Sequence, residues 1–259
     1  MSKQAAQSTT NQITEGVIWK QLLIFFFPIL FGTFFQQLYN TADAIIVGNF
    51  VGKEALASVG GSASTIINLL VGFFVGLSSG ATVIISQYYG ADNRRRVRDS
   101  VHTAIALAIA GGVVIMLLGL VSARFALTAM GTPDDILSLS LTYMKIYYLG
   151  TIPSMIYNMG SGILRAVGDS KRPLYFLIAS CLVNIVLDLL FVAVLDMGVA
   201  GAAIATILAQ IIALVWQFKT FTNKNELLHL HRGIYKLRGT IVKNTIAIGM
   251  SPFLMNLAA

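Results

Sequence analysis

Apolar runs long enough to cross a bilayer recur six times along the chain, near 17–47, 56–88, 100–121, 136–163, 174–195 and 199–218, and a seventh begins near Ile241. A helix needs about 20 consecutive apolar residues to cross the hydrocarbon core. Several of these runs exceed that, so tilt or extension into the loops is expected. The composition points the same way, with 56% of 259 residues hydrophobic and 11% charged, where soluble domains carry about 25% charge. The fold class is therefore all-α, a polytopic transmembrane helix bundle of six spans and a partial seventh.

The formal charge is +7, and in a soluble protein that would suggest nucleic acid. Here the basic residues sit in loops between apolar runs, so the anionic partner is lipid headgroups. With the N-terminus placed inside, the inner segments hold Lys3, Lys20, Arg94, Arg95, Arg96, Arg98, Arg165, Lys171, Arg172, Lys219, Lys224, Arg232, Lys236, Arg238 and Lys243, which is 15 of the 18 basic residues. Lys53 and Arg124 fall outside, and Lys145 lies within the fourth span, where its amine can reach the outer headgroups. This asymmetry obeys the positive-inside rule and predicts a cytoplasmic N-terminus in the plasma membrane. The first apolar run carries no small-residue cleavage signal and reads as a retained helix.

Turn residues divide the chain consistently. Gly90-Ala91-Asp92-Asn93 ends the second span before the basic run Arg94–Arg98, Gly131-Thr132-Pro133 separates the third from the fourth, and Gly168-Asp169-Ser170 precedes Pro173 at the start of the fifth. The predicted organisation is a polar cytoplasmic N-terminus (1–15), a six-helix lobe (16–221), a basic cytoplasmic linker (222–240) and the truncated start of a second lobe (241–259). In the linker Leu227, Leu230, Ile234 and Leu237 recur at helical spacing, which fits either an amphipathic surface helix or a solvated connector. Ile24-Phe-Phe-Phe-Pro28 and Ile248-Gly-Met-Ser-Pro252 each follow a basic inner segment. This suits a transporter of two six-helix halves, the chain supplying the first and a stub of the second.

Chemistry at membrane depth narrows to a few residues. Asn184 and Asp188 lie one helical turn apart in the fifth run and share a face. A carboxylate at that depth costs at least roughly 2.5 kcal/mol, so it is kept for a purpose or hidden against a partner. In the first run Gln36, Tyr39, Asn40 and Asp43 form one polar stripe, which must face protein or water. The alternation of spans places Asp43, Tyr143, Asp188 and Thr206 at one level in the outer half of the bilayer. Two carboxylates in a low-dielectric cavity do not both ionise readily. Asn184, Tyr143 and Thr206 add neutral oxygens, so the group suits a proton or Na⁺, a hard cation. Such a cluster is a candidate cation-coupling site.

The chain resembles the multidrug and toxic compound extrusion (MATE) family, with features of its DinF-like prokaryotic branch. The resemblance rests on FPILFGTFFQQLYNTADAIIVGNFVGKEALASVG at 27–60, SQYYGADNRRRV at 86–97, YMKIYYLGTIPSMIYNMGSGILRAVGDSKRPL at 143–174, LVNIVLDLLF at 182–191 and MGVAGAAIATILAQ at 197–210. It implies a secondary antiporter of two six-helix lobes that exports amphipathic, often cationic small molecules in exchange for H⁺ or Na⁺ by alternating access. By motif, the proton relay or cation-coupling group falls on Asp43, Tyr39, Tyr143, Asn184, Asp188 and Thr206. Na⁺ would be held by Asp43, Asn184, Asp188 and Thr206, while Gln36 and Asn40 are candidates for the substrate cavity. No structural metal and no cofactor beyond the coupling ion are implied, and the partners are the bilayer, the transported compounds and a C-terminal lobe.

Other classes fit less well. A lipid-linked oligosaccharide flippase of the same superfamily would carry several basic residues within its spans, and here only Lys145 does. A membrane hydrolase needs a nucleophile–base pair or a metal cluster. HExxH is not present, His102, His229 and His231 read as interfacial or loop residues, and Cys181 reads as a small buried hydrophobe. A non-transporting membrane fragment is the remaining alternative.

Overall fold

Helices account for nearly all of the described residues, 17–221 and 238–258, of the computed structural model. The order is α1 (Ile18–Phe50), α2 (Lys53–Gly60), α3 (Ser62–Gly90), α4 (Arg94–Ala129), α5 (Asp134–Leu149), α6 (Thr151–Ala166), α7 (Lys171–Asp188), a π-helical turn (Leu189–Val194), α8 (Gly198–Phe221) and α9 (Gly239–Ala258). Five stretches are long and apolar enough to cross a membrane: Trp19–Phe50, Lys53–Gly90, Arg94–Ala129, Lys171–Val194 and Gly198–Phe221. The amphipathic helix considered for the linker lies outside the described residues, and α9 begins at Gly239, just ahead of the predicted 241.

The fourth apolar run departs from expectation, because it is two helices and not one span-long helix. Pro153 lacks the N–H that would bond the carbonyl four residues back. The chain breaks at Gly150, whose N–H bonds both Ile146 O and Tyr147 O, and Thr151 Oγ1 donates to the Tyr148 carbonyl at 2.7 Å. By contrast Pro28 sits inside α1, which stays continuous.

Turns fall where the punctuation placed them. Gly131 (φ 71°) and Gly168 (φ 88°) adopt left-handed conformations that other residues avoid. Asn93 caps α4, its side chain accepting from the Arg96 N–H at 3.1 Å. The α3–α4 and α6–α7 turns gather Arg94, Arg95, Arg96, Arg98, Lys171 and Arg172, and the Arg238–Asp99 ion pair (2.8 Å) brings the start of α9 to the same end. That basic end is one pole of the bundle. The loop Val51-Gly52 and the α4–α5 and π-turn–α8 connections form the other.

Two cores lie along the axis. Toward the basic end, Ile85, Val97, Val101, Ile163, Phe176 and Phe221 pack between α3, α4, α6, α7 and α8. Toward the opposite end, Val47, Ala55, Leu127, Tyr143, Val192 and Ala203 pack between α1, α2, α4, α5, the π turn and α8. Helices approach closely where glycines face bulk. A methyl at Gly119 would lie 2.2 Å from the Tyr148 ring, and one at Gly112 would lie 3.0 Å from Ile152 Cα. The outer surface stays apolar, with Leu117, Leu118, Val121 and Phe125 of α4 and Leu182 and Val186 of α7 exposed. A surface like that is stable in lipid, whereas in water it would aggregate.

Candidate functional site

α1 and α7 run parallel. Gly32 meets Leu177 and Asp43 faces Asp188, and the two contacts share one sequence offset. The register therefore sets the two carboxylates side by side. Asn184, one turn before Asp188, joins them from α7, and α8 brings Thr206 to the Tyr39 hydroxyl of α1. From α5 come Tyr143, within electrostatic range of both aspartates, and Tyr147, within range of Asp43. Four helices thus supply one cluster.

Burial is nearly complete, with Asn184 and Asp188 at 0%, Thr206 at 4% and Asp43 at 7% relative exposure. Tyr39 Oη, Asp43 Oδ1, both amide atoms of Asn184, both carboxylate oxygens of Asp188 and Thr206 Oγ1 have no hydrogen-bond partner among the described residues. Outside the cluster the only such atoms among those residues are Ser100 Oγ and Thr132 Oγ1. Each buried unsatisfied group costs about 1–3 kcal/mol, so their concentration at one point is a liability unless something binds there. The donor set is two carboxylates, an amide and hydroxyls. All offer oxygen, which fits a hard cation such as Na⁺ or a proton held between carboxylates.

The predicted polar stripe of α1 divides. Tyr39 and Asp43 turn into the cluster, while Gln36 and Asn40 stay exposed, and Asn40 Nδ2 reaches only Gln37 Oε1 at 3.4 Å. They share α1 with exposed Phe26, Phe27, Phe31 and Phe34, on a surface that no other described helix covers. Tyr147 was missed by the sequence reading, although it lies one turn from Tyr143 on the same face, with ring centroids 6.4 Å apart. The π turn was also missed. It opens immediately after Asp188, and its wider hydrogen bonding shows in Leu195 N–H bonding Leu190 O at 2.9 Å. Lys145 is exposed and lies on the face of α5 away from Tyr143.

An apolar-surfaced bundle with helices long enough to cross a bilayer defines an integral membrane protein. The MatE family model matches residues 28–190, and the chain belongs to the MATE family of multidrug transporters. It is 34% identical over 203 residues to the probable multidrug resistance protein YpnP of Bacillus subtilis, covering 78% of this chain and 45% of that protein. It is 28% identical over 244 residues to the probable multidrug resistance protein NorM of Thermotoga maritima, covering 92% and 52%. Among solved structures, a MOP superfamily transporter from Pyrococcus furiosus superposes with a TM-score of 0.88 at 27% identity, covering 96% of this chain and 55% of that one. The chain spans about half the length of the relatives it matches.

Proposed function

We propose that this chain forms the first lobe of a secondary antiporter, which exports amphipathic, often cationic compounds in exchange for H⁺ or Na⁺. The observation that carries the reading is the pair Asp43 and Asp188, buried side by side with Asn184 one turn away. Two ionised carboxylates at that depth repel each other in a low dielectric. A bound proton or Na⁺ relieves the repulsion, and its departure restores it. The cluster therefore has two electrostatic states whose packing preferences differ, as an alternating-access transporter requires. Tyr39, Tyr143, Asn184 and Thr206 orient the acids and complete the oxygen shell. Tyr147 joins them by position.

The basic end faces the cytoplasm on this reading, with Arg94–Arg98, Lys171 and Arg172 against anionic headgroups. The exposed α1 face, with Gln36 and Asn40 among phenylalanines, is the wall presented to substrate, and a second lobe closes the cavity. Aromatic surface with uncharged amides suits flat, amphipathic cations.

The test is transport by the complete two-lobe protein in proteoliposomes. Ethidium export is expected to follow an imposed pH or Na⁺ gradient and to stop when an ionophore collapses it. Export at an unchanged rate after both gradients are removed would overturn the reading.

A further inference from the structure

Below the acid cluster, toward the basic end, α6 and α8 share a second set of polar groups. The two helices run parallel in register. Ser154 Oγ donates to Gln210 Oε1, and Gln217 Nε2 donates to Ser161 Oγ at 3.0 Å, both pairs being separated by 56 residues in sequence. The two rungs are seven residues apart on each helix, about 10 Å along the axis. Asn158 fills the interval, its Nδ2 donating to Ser154 O at 2.8 Å, and Gln217 Nε2 also reaches Tyr157 O at 3.3 Å. On α8 the upper rung is one turn from Thr206, which belongs to the acid cluster. The lower rung is one turn from Arg165, in the last turn of α6 at the basic end.

The lane is buried at Ser154 and at the lower rung, while Gln210 and Asn158 are half-buried. Ser154 is 5% exposed, Ser161 4% and Gln217 1%. Glycine admits the close approach here too, since a methyl at Gly160 would strike the Gln217 amide. Gly112 on Ile152, Gly119 on Tyr148 and Gly80 on Thr245 bring helices together with small residues. Gln210 and Gln217 are large amides in an otherwise apolar helix, GAAIATILAQIIALVWQF, where placing them carries a cost. Together the groups place polar side chains about one turn apart between Thr206 and Arg165, on helices α6 and α8.

We infer that this column is the passage by which the coupling cation travels between the Asp43–Asp188 cluster and the basic end, separate from the route of the exported compound. The inference rests on the reading of that cluster as the coupling site. Hydroxyl and amide oxygens at intervals of one turn give a proton or small cation successive partners across a region that hydrocarbon would otherwise close. The separation has a mechanistic consequence. Cation can leave toward the cytoplasm while the substrate cavity is closed on that side.

The experiment uses the complete transporter in proteoliposomes, with Gln210→Leu and Gln217→Leu read in three ways: ethidium transport driven by a cation gradient, gradient-free ethidium counterflow, and ethidium affinity. Gradient-driven transport is expected to fall about tenfold, with counterflow and affinity within about twofold of the unmodified protein, and Gln217→Asn is expected to recover much of the rate. Ser154→Ala and Ser161→Ala, which remove only a hydroxyl, are read in the same assay and decide the matter if a leucine variant does not accumulate. A parallel fall of counterflow and driven transport would reduce these residues to helix-packing groups and overturn the inference, as would no change in either. Unaltered coupling in Asp188→Asn would instead remove the cluster reading on which the column depends, so the two failures are told apart.

Discussion

Asp188→Asn is expected to uncouple the complete transporter, with gradient-driven export falling about 5–150-fold, the span of coupling free energies between linked sites. The substitution is nearly isosteric, so the 0% exposed position still packs. What changes is electrostatic. Asn cannot share a proton with Asp43 or offer an anionic oxygen to Na⁺, and Asp43 no longer faces a second negative charge. The cluster then loses one of its two states and stays in the other. Ethidium affinity, on the proposal that the exposed α1 face binds substrate, is expected to change little, so the measurement that checks this compares driven transport with equilibrium binding in the same preparation. Wild-type coupling in the variant would refute the role assigned to Asp188.

Gly80→Leu is expected to have the largest effect on the structure itself. A Cβ at Gly80 would lie 2.1 Å from Thr245 O and 2.9 Å from Gly249 N, while one at Gly249 would lie 2.6 Å from Gly76 O. The obstruction is backbone on both sides, and no flexible side chain can swing away. Overpacking in a tight contact costs about 1–3 kcal/mol, and here the relief available is displacement of α9 as a whole. Among the described residues α9 packs on α3 and, less, on α4. The Arg238–Asp99 pair is partly exposed and holds α9 weakly. A cysteine cross-link between α3 and α9 is expected to form readily in the unmodified protein and to fail in Gly80→Leu. Cross-linking at the original rate would show that the crossing tolerates the side chain.

Much of this fold was legible because a bilayer imposes a length on every helix. Runs of about 20 apolar residues announced themselves, and Gly131 and Gly168 marked turns because few other residues take their backbone angles. The break at Gly150 was harder to see. Pro153 signalled it, but the apolar run continues across it without interruption. The π turn after Asp188 had no signal at all, since Leu189–Val194 carries side chains any α-helix accepts. The α3–α9 crossing was equally hidden. Periodicity shows which face of a helix is buried, and two glycines show that something comes close, but neither names the partner.

The site was legible for a related reason. Ionisable groups are so costly at membrane depth that Asp43 and Asp188 drew attention individually, and span alternation set them level. Asn184 and Thr206 followed by position, and both are buried in the cluster. Tyr147 was overlooked because a tyrosine in a span is unremarked unless a charged neighbour is known. Gln36 and Asn40 were grouped with Tyr39 and Asp43 by spacing. A four-residue stripe on a helix is wide enough for one edge to face the protein interior while the other stays exposed, and α1 divides along that line.

The central claim is that Asp43 and Asp188 together bind and release a cation. Infrared difference spectroscopy of the complete transporter tests it most directly, because protonated and ionised carboxyl groups absorb separately. On raising the pH or adding Na⁺, a protonated-carboxyl band is expected to disappear, and to be absent from the difference spectra of Asp43→Asn and Asp188→Asn. The same band persisting in both variants, or no carboxyl change in the unmodified protein under either titration, would contradict it.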